Sequence, residues 1–120
     1  MSHGSDAHGR TGPVTAAVAA RIAETMQALS TPSRVLILAL LRERPRSVSE
    51  LVAGVGMQQS AVSHQLRVLR DIGLVVGDRD GRSVVYSLYD EHVASLIDQA
   101  IFHTEHLQVG AAEPSRRRAA

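Results

Sequence analysis

Residues 47–88 read SVSELVAGVGMQQSAVSHQLRVLRDIGLVVGDRDGRSVVYSL, and this stretch decides the fold. Ser47 followed three residues later by Glu50 has the spacing of a capping box, in which each side chain accepts from the other residue's backbone N–H at a helix start. A short helix over Leu51 and Val52 follows, closed by Gly54 and Gly56. A second helix is expected from about Gln59 to Asp71, and its residues divide into two stripes. Val62, Leu66 and Leu69 follow i, i+4, i+7, whereas Ser60, Ser63, His64 and Arg67 follow i, i+3, i+4, i+7 on the other side. One face packs and the other is a short polar edge. After Gly73, strand patterns over Leu74 to Asp78 and Ser83 to Leu88 flank Arg79, Asp80, Gly81 and Arg82, which predicts a β-hairpin around the Asp-Gly pair. A capped helix, a glycine turn, a polar-edged helix and a basic hairpin together predict a winged helix-turn-helix.

Working outward, Val14, Val18, Ile22, Met26 and Leu29 recur near the helical period and predict a first helix over 14–29. Ser30 and Thr31 stop it. Thr31 is placed to cap the next helix, with Pro32 at the first helical position, where its missing N–H costs nothing. Val35 to Leu41 is apolar all round, so this helix is expected to be buried on most sides at the centre of the fold. Downstream, Asp90 is placed to cap a last helix reaching about Leu107, with an apolar stripe of Val93, Leu96, Ile97, Ala100 and Ile101. The expected order is α-α-α-α-β-β-α: mainly α with a small β-hairpin. Residues 14–107 form one DNA-binding and dimerisation domain in this reading. Residues 1–13, rich in Gly and His, and 108–120, with the Arg116 to Arg118 run, read as flexible tails.

Composition narrows the function. The 120 residues hold 13 basic side chains, all Arg, against 12 acidic ones, six His and no Cys. Disulfides, thiolate metal sites and cysteine nucleophiles are therefore excluded. Tyr86, Tyr89 and Phe102 are the only aromatic residues, so the core must be aliphatic. The longest apolar run is far shorter than the roughly 20 residues that span a bilayer, and no apolar leader opens the chain, so a cytoplasmic protein with no membrane partner is expected. So short a chain buries little surface alone, which favours a homodimer.

The polar edge suits double-stranded DNA. Short side chains at Ser60 and Ser63 allow a helix close approach to base edges, and Gln59, His64 and Gln65 carry hydrogen-bonding groups for bases and phosphates. Arg67, Arg70, Arg79 and Arg82 add charge directed at phosphate. Net charge is no guide, because Asp71, Asp78 and Asp80 largely offset those arginines. The competing reading is an ordinary solvated face.

The last helix carries a second pattern. His92, His103 and His106 lie within about 60° of one another on a helix, but 11 residues separate His92 from His103, about 16 Å of rise. One chain therefore cannot bring both to one ion. In an antiparallel helix pair, facing positions have a constant index sum, and the pairs His92/His103 and Asp90/His106 agree within one. A two-fold axis near Ile97 and Asp98 would set Asp90 and His92 of one protomer against His103 and His106 of the other, twice per dimer. Three imidazoles and a carboxylate suit Zn, Co or Ni. Ser2, through its α-amine, His3 and His8 are further candidate ligands, whose addition raises the coordination number and favours Ni and Co over Zn. The alternative is a set of solvated helix histidines. His103, Thr104, Glu105, His106 has the wrong spacing for a zincin, and no carboxylate is placed as a general base, so no enzyme is expected.

Together these patterns resemble the ArsR/SmtB family of metal-sensing repressors from about Ala17 to Leu107. Leu29, Ser30, Thr31, Pro32, Ser33 and Arg34 look like the family signature, Gln59 to Leu66 like its recognition helix, and Asp90, His92, His103 and His106 like its carboxyl-terminal-helix metal site. The family's cysteine site has no counterpart here, since Ser47, Val48 and Ser49 stand in that segment. The resemblance implies a winged-helix homodimer that represses in the apo state and leaves its operator when metal binds, releasing a metal-efflux gene. Ni(II) or Co(II) is the expected inducer. Zn(II) sensing, or a winged-helix regulator not controlled by metal, is the alternative.

Overall fold

Thr15 Oγ1 accepts from Val18 N at 3.2 Å and so starts the first helix, α1 (Ala16–Ala28), in a computed structural model that describes residues 12–111. Helix α2 (Pro32–Glu43) follows with Pro32 in its first turn, as expected. Thr31 occupies the cap position but does not cap through its side chain: its Oγ1 is buried and has no hydrogen-bond partner among the described residues. Its backbone carbonyl instead takes Val35 N at 3.2 Å.

The capping box forms at the start of α3 (Val48–Val55), where Ser47 N donates to Glu50 Oε1 at 2.9 Å and Glu50 N to Ser47 Oγ at 3.3 Å. Gly56 ends that helix in the left-handed region at φ +73°, which favours glycine, and α4 (Gln59–Ile72) begins three residues later. Gly54, expected to help close α3, lies inside it. A β-carbon there would stand 2.6 Å from Leu40 Cδ1, so its bareness lets α3 approach α2.

The sheet differs from the expected hairpin in one strand and one turn. A two-residue strand, β1 (Arg46–Ser47), pairs antiparallel with β3 (Ser83–Leu88), and β2 (Val75–Asp80) lies on the other side of β3. Two residues after Pro45 carry no period to read; only the neighbouring edge of β3 makes them a strand. The β2–β3 ladder extends to Asp80 opposite Ser83, so the connection shortens to Gly81 and Arg82, with Gly81 at φ +67°. Helix α5 (Glu91–Ala111) runs past the expected end at Leu107.

The core lies where α2, α3, α4 and the base of the sheet meet, around Ile37, Leu38, Leu51, Val62, Leu66, Leu69 and Val75. Each such side chain contributes roughly 1.5–3 kcal/mol when fully buried. Helix α2 is not buried on most sides: Ile37, Leu38 and Leu41 face the core, but Val35 and Leu36 are exposed. One chain supplies partners for only one stripe of that helix. The same holds for α1, where Ala28 alone is buried and Ile22 and Met26 are each nearly half exposed, and for the outer side of α5, where Ile101, Phe102 and Leu107 are open. Leu29, Val35, Ile97, Ala100 and Ile101 line an apolar groove of about 380 Å³ between these helices.

Candidate nucleic-acid interface and metal centre

Helix α4 is positioned by its inner stripe. Val62, Leu66 and Leu69 are sealed in the core, which turns Gln59, Ser60, His64 and Arg67 outward as the period required, with Ser63 half-buried. The hairpin carries Arg79 and Arg82 on exposed positions beside them. A polar concavity of about 290 Å³ is lined jointly by Ser47 and Ser49 at the start of α3, Gln59 of α4, and Arg82 and Ser83 of the hairpin. Helix start, reading helix and wing therefore open on one side. A helix of this width flanked by an arginine-bearing loop matches a DNA major groove and its adjoining backbone.

Gln65 sits differently from its neighbours. It is half-buried, and its Oε1 accepts from Arg34 Nε at 2.8 Å, so its carbonyl is committed within the protein. Arg34 was not singled out as a site residue from the sequence. Thirty-one positions separate the pair, and no local pattern reports a contact of that range.

At the start of α5, Asp90 Oδ1 accepts from His92 N at 3.0 Å and from Val93 N at 3.2 Å, so Asp90 caps the helix as expected. Its Oδ2 lies 3.3 Å from His92 Nδ1. Desolvation pushes the Asp90 carboxyl up, but the His92 ring and the Val93 and His92 N–H groups together hold it below its ordinary value. Cap and pairing thus set a carboxylate oxygen beside an imidazole whose side chain is 93% exposed. A carboxylate and an imidazole thus stand side by side, the donor chemistry of half a candidate metal site.

His103 and His106 stand exposed one turn apart near the other end of α5, and the His106 ring stacks on Phe102 with centroids 6.2 Å apart. Among the described residues, no three His, Asp or Glu side chains of one chain converge on a common point. The two halves are therefore complementary in chemistry but separated along the helix. The donor set of imidazoles and carboxylates fits a divalent ion of the Ni, Co or Zn type. Ser2, His3 and His8 lie outside the described residues, as do the chain ends beyond 12–111.

Asp98 on α5 forms an ion pair with Arg42 at the end of α2, a contact also unforeseen from the sequence. It raises the Arg42 pKa above its ordinary value, chiefly through that hydrogen bond. Among the described residues, no helix is long and apolar enough to cross a membrane.

Comparison with known proteins agrees with this geometry. Residues 31–76 match the model of the bacterial regulatory protein, arsR family. The chain is 57% identical over 114 residues to the HTH-type transcriptional regulator NmtR of Mycobacterium tuberculosis, covering 94% of this chain and 95% of the relative. It superposes on the solution structure of apo-NmtR with a TM-score of 0.68 at 61% identity, over 81% of this chain and 82% of that one. The HTH-type transcriptional repressor SmtB of the same organism is 41% identical over 80 residues, 67% of this chain and 59% of the relative. Mb0332 of Mycobacterium bovis, solved as a homodimeric winged helix-turn-helix DNA-binding domain, aligns with a TM-score of 0.73 at 30% identity, over 82% of this chain and 92% of that one. These relatives are transcriptional regulators rather than enzymes, and the two solved structures share the fold. The chain belongs to the ArsR family of bacterial regulatory proteins, as a winged helix-turn-helix transcriptional regulator.

Proposed function

We propose that the chain is a metal-responsive repressor: a cytoplasmic homodimer that binds operator DNA in the apo state and is released by Ni(II) or Co(II), derepressing a metal-efflux gene. Gln59, Ser60, Ser63 and His64 read the major groove, while Arg67, Arg79 and Arg82 meet phosphates. Asp90 and His92 of one protomer and His103 and His106 of its partner hold the ion, with Ser2, His3 and His8 as additional donors. The observation that carries this reading is the pairing of half-sites: a capped Asp90–His92 pair at one end of α5, an HxxH pair at the other, and exposed apolar residues between and beside them. Two such helices packed antiparallel complete both sites and cover the open stripes of α1, α2 and α5 in one step.

The metal supplies cross-linking charge. Within this chain, Asp90 and His92 are pre-set, whereas His103 and His106 must meet them from the partner, so ligation selects one quaternary arrangement. An arrangement that changes the spacing of the two α4 helices weakens their simultaneous fit to successive major grooves. Couplings of this kind are typically about 1–3 kcal/mol.

The test is fluorescence anisotropy of the apo protein on DNA from its own upstream region, at stated salt, then with one equivalent of Ni(II) per chain. Tight apo binding that weakens at least tenfold with metal is expected, about 1.4 kcal/mol of coupling. Stronger release by Zn(II) than by Ni(II) or Co(II) reassigns the inducer. Binding unaffected by any of the three overturns the metal reading and leaves a regulator controlled otherwise.

A further inference from the structure

We infer that Arg34 is a positioning residue that sets the orientation of the reading helix, and that Gln65 serves this clamp instead of a base edge. Arg34, in the first turn of α2, is half-buried and donates from Nε to Gln65 Oε1 at 2.8 Å. Its Nη1 donates to Ala28 O at 3.2 Å and to Gln27 O at 3.4 Å. One guanidinium thus joins the end of α1, the start of α2 and the middle of α4.

Each contact has a physical reason. The carbonyls in the last turn of a helix lack intrahelical donors and form the negative end of its dipole, and α1 has no basic residue of its own in that turn. Arg34 supplies the missing cation from the neighbouring helix. Its planar fork spreads donors at fixed angles, so α1 and α4 are held in one relative orientation rather than merely attracted. Arginine has only donors, which obliges Gln65 to present its oxygen inward. Bidentate recognition of adenine needs that oxygen and the amide N–H together, so a clamped Gln65 has given up half of the pattern.

Among the described residues, no other side-chain hydrogen bond ties α4 to the rest of the fold. Its cap residue, Gln58, makes no side-chain cap bond, and the helix otherwise rests on the apolar contacts of Val62, Leu66 and Leu69. Apolar contact is non-directional and tolerates a few degrees of rotation; a charged three-way hydrogen bond does not. The inference rests on α4 being the DNA-reading helix and is independent of the metal.

The experiment uses the full apo chain on two duplexes, upstream DNA and a scrambled sequence of equal length, across a salt series. Arg34→Met keeps the packing of the stem and removes the donors; Gln65→Leu leaves the α1 contacts of Arg34 intact and removes the acceptor. Each is expected to weaken upstream-DNA binding by roughly tenfold, with affinity for scrambled DNA and its salt slope unchanged. The double variant should lose no more than the worse single. A salt slope reduced by about 0.9 in Arg34→Met would make Arg34 a phosphate contact and overturn the inference. So would unchanged upstream binding in Gln65→Leu, or altered preference at a single base position with the rest retained. Should Arg34→Met fail to fold, Gln65→Leu carries the test alone. Amide exchange along α4, faster in the variants, reads the clamp without DNA; failure of the wild type to bind either duplex would therefore count against the proposed function and not the clamp.

Discussion

Subunit mixing tests the shared metal site most directly. The perturbation is a pair of variants: Asp90→Ala/His92→Ala, which removes the half-site at the start of α5, and His103→Ala/His106→Ala, which removes the other. On a helix rising 1.5 Å per residue, His92 and His103 are about 16 Å apart, several times the span of a coordination sphere with ligands near 2 Å. A site within one chain is thus barred, and each variant homodimer lacks one half of both its sites. A heterodimer of the two contains one wholly dead site and one intact site, made of the first variant's His103 and His106 and the second's Asp90 and His92. With random exchange at equal concentrations, half the dimers are mixed, so the mixture should bind about 0.25 Ni(II) per chain against about one for the wild type. Equilibrium dialysis followed by elemental analysis reads this ratio, after brief mild denaturant to allow protomer exchange. Both pure variants should bind near zero. A mixture that binds no more than its components, with exchange verified by mass spectrometry, would refute an inter-subunit site built from these four residues.

Two further outcomes concern the scaffold. Leu66→Ala empties a position that is 1% exposed beneath the reading helix and is expected to cost about 2–5 kcal/mol, measured by urea unfolding at fixed protomer concentration because association adds to apparent stability. Glu50 has a pKa lowered in the fold, chiefly by the Ser47 N–H bond, so its stabilisation is present above the ordinary value of about 4.3 and fades as pH falls through the lower folded value. Glu50→Gln keeps a capping group that does not titrate, so its unfolding midpoint should change less between pH 5 and 3 than that of the wild type; parallel curves would show that the capping box contributes nothing to acid sensitivity.

Local chemistry made much of this protein legible in one dimension. The Ser47–Glu50 box, the Asp90 cap and the two stripes of α4 depend on residues within a few helical turns of each other, and all formed as their spacing implied. The candidate metal ligands rest on spacing alone, which helix geometry converts into a distance and a need for a second chain. Tertiary structure decided what depends on neighbours far along the chain. Strand β1 exists only because β3 runs beside it. Thr31 has the composition of a cap, yet its hydroxyl is buried without a partner among the described residues. Val35 to Leu41 is apolar all round, but packing within one chain reaches only one side of it, leaving Val35 and Leu36 open. Gln65 carries the side chain of a base reader and is drawn to Arg34, 31 positions away, because α1, α2 and α4 converge there. Period and capping are properties of short segments, whereas the partner of a buried or half-buried polar group is set by the packing of whole helices.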